Sequence, residues 1–425
     1  MNISSLHSIE TAGDLFSFRQ YVDSTVRQTK RGSLVLVDIE DFKKVNYRFG
    51  TVTGDQTLMF INQKLSEHLN KCYDDDISVL HHHKDVYLIF IPTETTQEEA
   101  VTLFTVIREV LDKPFHIGDA NFKLDFRMAL TNASSIANSF DNLVESVEYS
   151  IRLAKVNGDR FIHSQSAIPA AFQSSTSFCQ AFDDAVTNNE LRFVFQPKHD
   201  MSKTGKIVGC EALARWYDED GNLYPLPVVL DAIFTNNKFQ DFAKYTLSSA
   251  VRLLRELVAK QKPLVKVSIN MDVQQIADKS VFHYFVRMAN DFPELVQFIE
   301  IELTEDNLLS KHVNSLRNLK LLQRTGFKVS IDDFGKGYSN LRSIIEIQPD
   351  TIKIDKSFID FITTCESTIK VLQAIVMMEL CAGDIVAEGV EKEEQVEKLL
   401  SLGIKTAQGY FYNRPLQRDD FISQL

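Results

Sequence analysis

Apolar and polar positions along this chain fall into two successive patterns. Up to about residue 162, short apolar runs alternate with stretches of helical spacing. The runs are SLVLVDIEDF (Ser33–Phe42), ISVLHHH (Ile77–His83), DVYLIFI (Asp85–Ile91) and KLDFRMAL (Lys123–Leu130); the helical stretches lie around Asp14–Thr29, Gly54–Leu69, Glu98–Leu111 and Ser139–Val156. Such intermixing, with no glycine-rich nucleotide fingerprint, predicts a compact α/β sandwich. From Cys210 onward a different pattern takes over. Seven apolar, strand-like stretches each run into a polar residue able to bind metal or handle protons: VGCEAL with Glu211, VKVSIN with Asn270, IEIELTE with Glu302, KVSIDD with Asp332 and Asp333, TIKID with Lys353, IVAEG with Glu388 and TAQGY with Gln408. Apolar strands that end in functional side chains describe a barrel of parallel strands with its chemistry at their carboxyl ends.

The spacing adds detail. LRFVFQPK (Leu191–Lys198) and KIVGCEALARW (Lys206–Trp216) are joined by a polar turn too short for a helical crossover, so the first barrel strand is expected to run antiparallel to its neighbour. The later site positions are 32, 30, 21, 35 and 20 residues apart; the long gaps suit full strand–helix units and the short ones require abbreviated helices. Between the two patterns lies HSQSAIPAAFQSSTSF (His163–Phe178), rich in Ser, Ala and Gln and without sustained periodicity. The expected organisation is a first domain over 1–162, a linker region over 163–178 and a second domain over 179–425.

Composition changes this picture little. At 425 residues the chain suits two domains, and 44% hydrophobic with 24% charged residues is ordinary for a soluble protein. No apolar stretch is long enough to span a membrane, and the polar start MNISSLHSIE lacks the regions of a signal peptide. The five cysteines are scattered without a CxxC pair, which predicts reduced thiols and a cytoplasmic location. A net charge of −12 argues against a general nucleic-acid surface but not against a small anionic ligand, whose phosphates divalent cations can neutralise.

The chemistry follows from the residue types. Glu211, Asn270, Glu302, Asp332, Asp333 and Glu388 are all oxygen donors, the ligands that Mg²⁺ or Mn²⁺ prefer. Two such ions can activate a water and neutralise a phosphodiester oxygen. Lys353 among these carboxylates reads either as a catalytic cation or as a structural counter-ion.

The strings EALARW, SIN, ELTE, DDFGKGYSNL, IKIDKSF, AEGVEKEEQ and QGYFYNRPL, in this order across roughly residues 176–425, resemble the EAL-domain cyclic-di-GMP phosphodiesterases. The resemblance implies a modified (β/α)8 TIM-type barrel with one antiparallel strand, a homodimer formed through it, and hydrolysis of cyclic di-GMP to pGpG in bacterial signalling. It implies two Mg²⁺ or Mn²⁺ ions held by the six oxygen-donor residues, with Asp332 and Asp333 near the shared position. Lys353 matches the residue that contacts the attacking water or the phosphate. Glu305 and Glu391 match carboxylates that support catalysis from behind the metal ligands, and Glu305 should order the loop DDFGKGYSNL. Gln196, Leu213, Arg215, Gln408 and Pro415 match substrate-contacting positions, Arg215 as a fork for phosphate. Trp216 reads as a packing residue. The chain departs from the family at Lys198 after QP and at Lys336 and Asn340; no metal ligand is lost. A non-catalytic receptor that signals through protein partners is the alternative, and the intact motifs weigh against it.

The first domain resembles the GGDEF diguanylate cyclase fold through VDIEDFKKVNYRFGTVTGDQTL and AKVNGDRF. Its signature is degenerate. Where glycines should let backbone approach the GTP phosphates stand His82, His83, Lys84, Asp85 and Val86, and Lys84 replaces an acidic metal-holding residue. Asp38 still matches a metal aspartate, and Asn46 and Asp55 match guanine-recognising positions. The product-inhibition motif would fall near Tyr73–Asp76 without its arginine. The implied role is regulatory, with GTP as a candidate effector. Because side chains alternate along a strand, His81, His82 and His83 are not expected to face one ion together.

Overall fold

The computed structural model describes residues 15–40, 42–73, 77–118, 120–136, 139–164, 169–172, 174–203, 205–218, 220–304, 313–335, 341–378 and 383–425. Glu305, Asp74–Asp76, Lys336–Asn340 and Cys381 lie outside this set. By internal packing the chain forms two units, Met1–Ala181 with Pro227–Ala232 and Phe182–Leu226 with Ile233–Leu425.

The first unit is built on a five-stranded sheet. Its strands are β1 (Ser33–Glu40), β2 (Ser78–His83), β3 (Val86–Ile91), β6 (Asp125–Asn132) and β7 (Phe161–Ser164), in the order β2-β3-β1-β6-β7; β4 (Phe115–Ile117) and β5 (Ala120–Phe122) form a separate ribbon. The alternation of β1 explains the layers. Val35, Val37 and Ile39 pack with Ile61, Leu65 and Leu69 of the helix Thr51–Cys72 and with Leu103 and Ile107 of the helix Gln97–Leu111. Leu34 and Leu36 point the other way, to Phe18, Val22 and Val26 of the helix Leu15–Thr29 and to Leu143 and Val147 of the helix Phe140–Asn157. The result is the expected α/β sandwich. Of the stretch read as linker, His163 and Ser164 belong to β7, paired parallel with β6, and the helix Ser175–Thr187 begins within its last residues.

The second unit contains a closed eight-stranded barrel: β8 (Leu191–Asp200), β9 (Lys206–Trp216), β10 (Lys266–Asn270), β11 (Ile299–Thr304), β12 (Lys328–Phe334), β13 (Thr351–Ile354), β14 (Ile385–Glu388) and β15 (Thr406–Gln408). β8 runs antiparallel to both β9 and β15, as the short turn requires, and the other pairs are parallel. The two short gaps hold short helices, Leu341–Ile347 and Glu393–Ser401. Outer helices cover the barrel with apolar stripes at helical spacing; Phe239–Ala259 buries Ala243, Leu247, Ala250, Leu254 and Leu257. Trp216 is buried with its ring edge-on to Phe182 and Tyr224, a packing role. Among the described residues no helix is long and apolar enough to cross a membrane.

Candidate active site

The carboxyl ends of the barrel strands converge on one ammonium. Lys353 on β13 is 1% exposed, and its Nζ lies 2.7 Å from Glu388, 2.9 Å from Glu302, 3.0 Å from Asp332 and 3.3 Å from Glu211. Four strands thus deliver four carboxylates to one lysine. Amides complete the ring: Asn270 donates to Glu211 Oε1 at 2.7 Å, and Gln408 donates to Glu211 Oε2 at 2.8 Å.

Asp332 and Asp333 are adjacent, so a regular strand would point them to opposite faces. The pairing of β12 with β13 shifts register between Ile331 and Phe334, and Asp333 adopts φ 54°, in the left-handed region. This bulge turns both carboxylates towards the site, a use of local irregularity common beside functional centres. One oxygen each of Glu211, Glu302 and Asp332 lie within 4.8 Å of one another, and so do one each of Asp332, Asp333 and Glu388. Asp332 belongs to both groups.

A second polar layer lies one residue pair deeper, on the same inward faces. Ser268 precedes Asn270 by two, Glu300 precedes Glu302 by two and Thr351 precedes Lys353 by two. Lys198, on the antiparallel β8, joins them. Its buried Nζ donates to Ser268 Oγ at 2.6 Å and to Glu302 Oε1 at 2.7 Å, with Glu300 at 3.4 Å. Ser268 and Thr351 donate to the two oxygens of Glu300 at 2.7 and 2.6 Å. Gly209 faces Lys198 across β8 and β9, and a Cβ there would come within 3.0 Å of the Lys266 carbonyl oxygen. Sequence reasoning marked Lys198 only as a departure and missed Glu300 and Thr351. The available signal was the polar residue two positions before Asn270, Glu302, Asp332, Lys353 and Gln408 in otherwise apolar strands.

The electrostatics separate the carboxylates. Burial alone would raise Glu302, but Lys198 and Lys353 more than offset it and hold that carboxyl down at about 2. Asp332 is pushed up to about 6 by burial and by Glu302 and Glu211, against the pull of Lys353. Glu388 is pushed up to about 8 by burial and by Asp332 and Glu211, again against Lys353. Lys353 itself is held well above the ordinary lysine value, because its carboxylate neighbours outweigh burial. The pocket therefore carries more negative charge than its lysines neutralise. Its hard oxygen donors in two overlapping groups suit divalent cations such as Mg²⁺ or Mn²⁺. Gln408 Oε1, buried without a hydrogen-bond partner, is an acceptor left for a further ligand.

The remaining expected positions lie around this centre or away from it. Gln196 pairs with Glu211 across β8 and β9, and Leu213 and Arg215 follow on β9, both half-buried. Arg215 donates to the Ala214 carbonyl. Pro415 is half-buried, beside Leu416, which forms a backbone bridge to Phe195. Glu391 is exposed and ion-paired with Lys356, so its carboxylate is engaged outside the lysine-centred cluster. Cys210 lies buried in the barrel wall, where burial pushes its thiol up. In the first unit Asp38 is ion-paired with Lys155, Asn46 is half-buried with an unpartnered buried Oδ1, and Asp55 is exposed. A lysine therefore holds the aspartate that would be needed for a metal.

At the degenerate hairpin, Lys84 takes φ 49° in the turn and Asp85 accepts from Ile39 through its backbone carbonyl. His81 pairs with Tyr87 and His83 with Val86, leaving His82 as an extra residue. As expected, the three histidines do not face one point together: His81 turns to the Lys84 carbonyl at 2.8 Å, while the bulge brings His82 and His83 together with ring centroids 4.5 Å apart.

Comparison with known proteins agrees with this architecture. The family model described as "EAL domain" matches residues 180–415, and that described as "Diguanylate cyclase, GGDEF domain" matches residues 17–160. The chain is 29% identical over 236 residues to "Cyclic di-GMP phosphodiesterase RocR" of Pseudomonas aeruginosa, across 55% of this chain and 60% of that protein. It is similar to the solved structure "PaMucR Phosphodiesterase, c-di-GMP complex", with a TM-score of 0.52 and 26% identity over 57% of this chain and 98% of that one. It shares its fold with "Vibrio cholerae LapD S helix-GGDEF-EAL (bound to c-di-GMP)", with a TM-score of 0.68 and 17% identity over 96% of each chain. The chain spans about half the length (48%, 50% and 48%) of curated relatives that match nearly all of it.

Proposed function

Because the chain belongs to the EAL-domain family, with a GGDEF domain ahead of the barrel, we propose that it is a metal-dependent phosphodiesterase that opens cyclic di-GMP to linear pGpG. The observation that carries this reading is the pair of carboxylate groups sharing Asp332 around Lys353. Glu211, Asn270, Glu302, Asp332, Asp333 and Glu388 would hold two Mg²⁺ or Mn²⁺ ions. Such ions lower the pKa of water and neutralise a phosphodiester oxygen. In the net reaction water adds across one P–O3′ bond: its oxygen goes to phosphorus and a proton to the departing 3′ oxygen.

The chain's own residues supply the rest. Lys353 is a buried, permanently charged donor, suited to stabilise the negative charge that develops on the phosphoryl group. Lys198 keeps Glu302 ionised and oriented from the opposite side. Gln408 holds Glu211 and keeps an acceptor free. Arg215 offers a guanidinium fork near the barrel mouth for the second phosphate, with Gln196, Leu213 and Pro415 lining the substrate side. The relatives named for cyclic di-GMP support the substrate. The degenerate GGDEF domain is the regulatory half, with GTP as its candidate effector.

The test is chelation with replacement. EDTA should abolish hydrolysis, Mg²⁺ or Mn²⁺ should restore it, and Ca²⁺ should bind without restoring it, because its larger radius and looser coordination alter the spacing. Asp332→Asn should lower turnover by at least about 100-fold, since it weakens both groups at once. Full activity in EDTA would end the two-metal reading. Binding without product under every metal would favour a receptor that signals through protein partners.

A further inference from the structure

We propose that His82, His83 and Glu148 form a second metal site, selective for a borderline transition-metal ion of the Zn²⁺ class, at the hairpin where the GGDEF signature is lost. One ligand atom from each of these three residues lies within 4.8 Å of the other two. Two come from the end of β2 and one from the helix Phe140–Asn157. The bulge at His82 puts neighbouring imidazoles together where a regular strand would separate them. His81 takes no part, because its Nε2–H donates to the Lys84 carbonyl and its ring lies against Tyr87.

A further observation points to a ligand. His82 Nδ1 is buried with no hydrogen-bond partner, and an orphaned buried acceptor or donor is destabilising unless something meets it. Two imidazole nitrogens and one carboxylate oxygen are a donor set that suits tetrahedral Zn²⁺ with a fourth position open. The same set is poor for Mg²⁺, which demands oxygen ligands in an octahedron. The site is thus chemically distinct from the all-oxygen barrel centre. A bound ion would tie the β2–β3 hairpin to the helix Phe140–Asn157 within one unit.

The experiment is equilibrium dialysis of the full chain against Zn²⁺ in millimolar Mg²⁺, which competes for oxygen-rich sites. A parallel titration with Co²⁺ follows the visible bands that distinguish nitrogen-bearing, low-coordinate sites from octahedral oxygen sites. The wild type should retain one equivalent that Mg²⁺ does not displace. His83→Gln and Glu148→Gln should each weaken that equivalent by at least ~10-fold and abolish the Co²⁺ bands, with circular dichroism unchanged. Asp332→Asn, in the barrel, should leave it intact. Failure of the wild type to retain Zn²⁺ would overturn the proposal. So would undiminished retention by folded His83→Gln, or loss in Asp332→Asn.

Discussion

At the scale of single residues, the candidate centre depends on two lysines with different tasks. Lys353 touches four carboxylates, so Lys353→Ala should remove most hydrolysis while cyclic di-GMP still binds, read as a split between turnover and ligand affinity. Lys198 is deeper, and replacing it with Met leaves Glu302 and Glu300 buried with fewer compensating charges. Removing one partner of a buried ion pair costs about 3–5 kcal/mol, so Lys198→Met should lose stability of that order in urea titrations. Adding Glu300→Gln should recover part of the loss. The titrations give a pH signature. Glu302 is held down, so its contribution to stability is present above the unfolded carboxylate value and is lost as pH falls towards about 2. Asp332 and Glu388 are held up. Their contribution is therefore present below the unfolded value and lost as pH rises through about 6 and about 8. Metal needs both groups ionised, so the stabilisation by Mg²⁺ should grow across that same window. Thermal melts in EDTA and in Mg²⁺ from about pH 5 to about pH 9 measure the difference; a gap constant with pH would contradict this electrostatic picture.

At the scale of elements, the site depends on how individual strands end. Asp333 sits at φ 54° in the β12 bulge, a conformation that Asn tolerates and Ala resists. Asp333→Asn should weaken Mg²⁺ binding with little change in stability, whereas Asp333→Ala should lower both, as calorimetry and melting would show. Gly409 follows Gln408 at the end of β15, and a Cβ there would meet the Val390 backbone nitrogen at 2.3 Å and oxygen at 2.1 Å. Gly409→Ala should therefore displace Gln408 from Glu211 and reduce kcat. An unchanged kcat would mean that this amide is not needed. The strands and their order were legible because apolar runs ending in polar residues repeat, and because the short turn after Lys198 dictated the antiparallel pair. The bulges were not. Adjacent Asp332 and Asp333 come together only through the family resemblance, and alternation, which keeps the three histidines from facing one ion, does not foretell that a bulge brings His82 and His83 together. Local backbone irregularity leaves little trace in residue type. The deeper layer was legible in principle, since Ser268, Glu300 and Thr351 each stand two residues before a recognised site residue.

At the scale of the whole molecule, a barrel with its carboxylate centre follows a GGDEF domain whose signature residues are replaced. Asp38 is paired with Lys155 and imidazoles stand where the phosphate-approaching glycines should be, so the chain should make no cyclic di-GMP from GTP under Mg²⁺ or Mn²⁺. Any such product would overturn the regulatory assignment. A regulator must favour one state of the barrel over another, so GTP should change kcat or KM for hydrolysis if it is the effector; identical kinetics with and without it would remove GTP from that role. The most direct test of the central claim is to incubate purified full-length protein with cyclic di-GMP and Mg²⁺ or Mn²⁺ and separate the products by chromatography. pGpG should accumulate with time and only in the presence of the metal; cyclic di-GMP recovered unchanged from protein that binds it under every metal condition would contradict the phosphodiesterase reading.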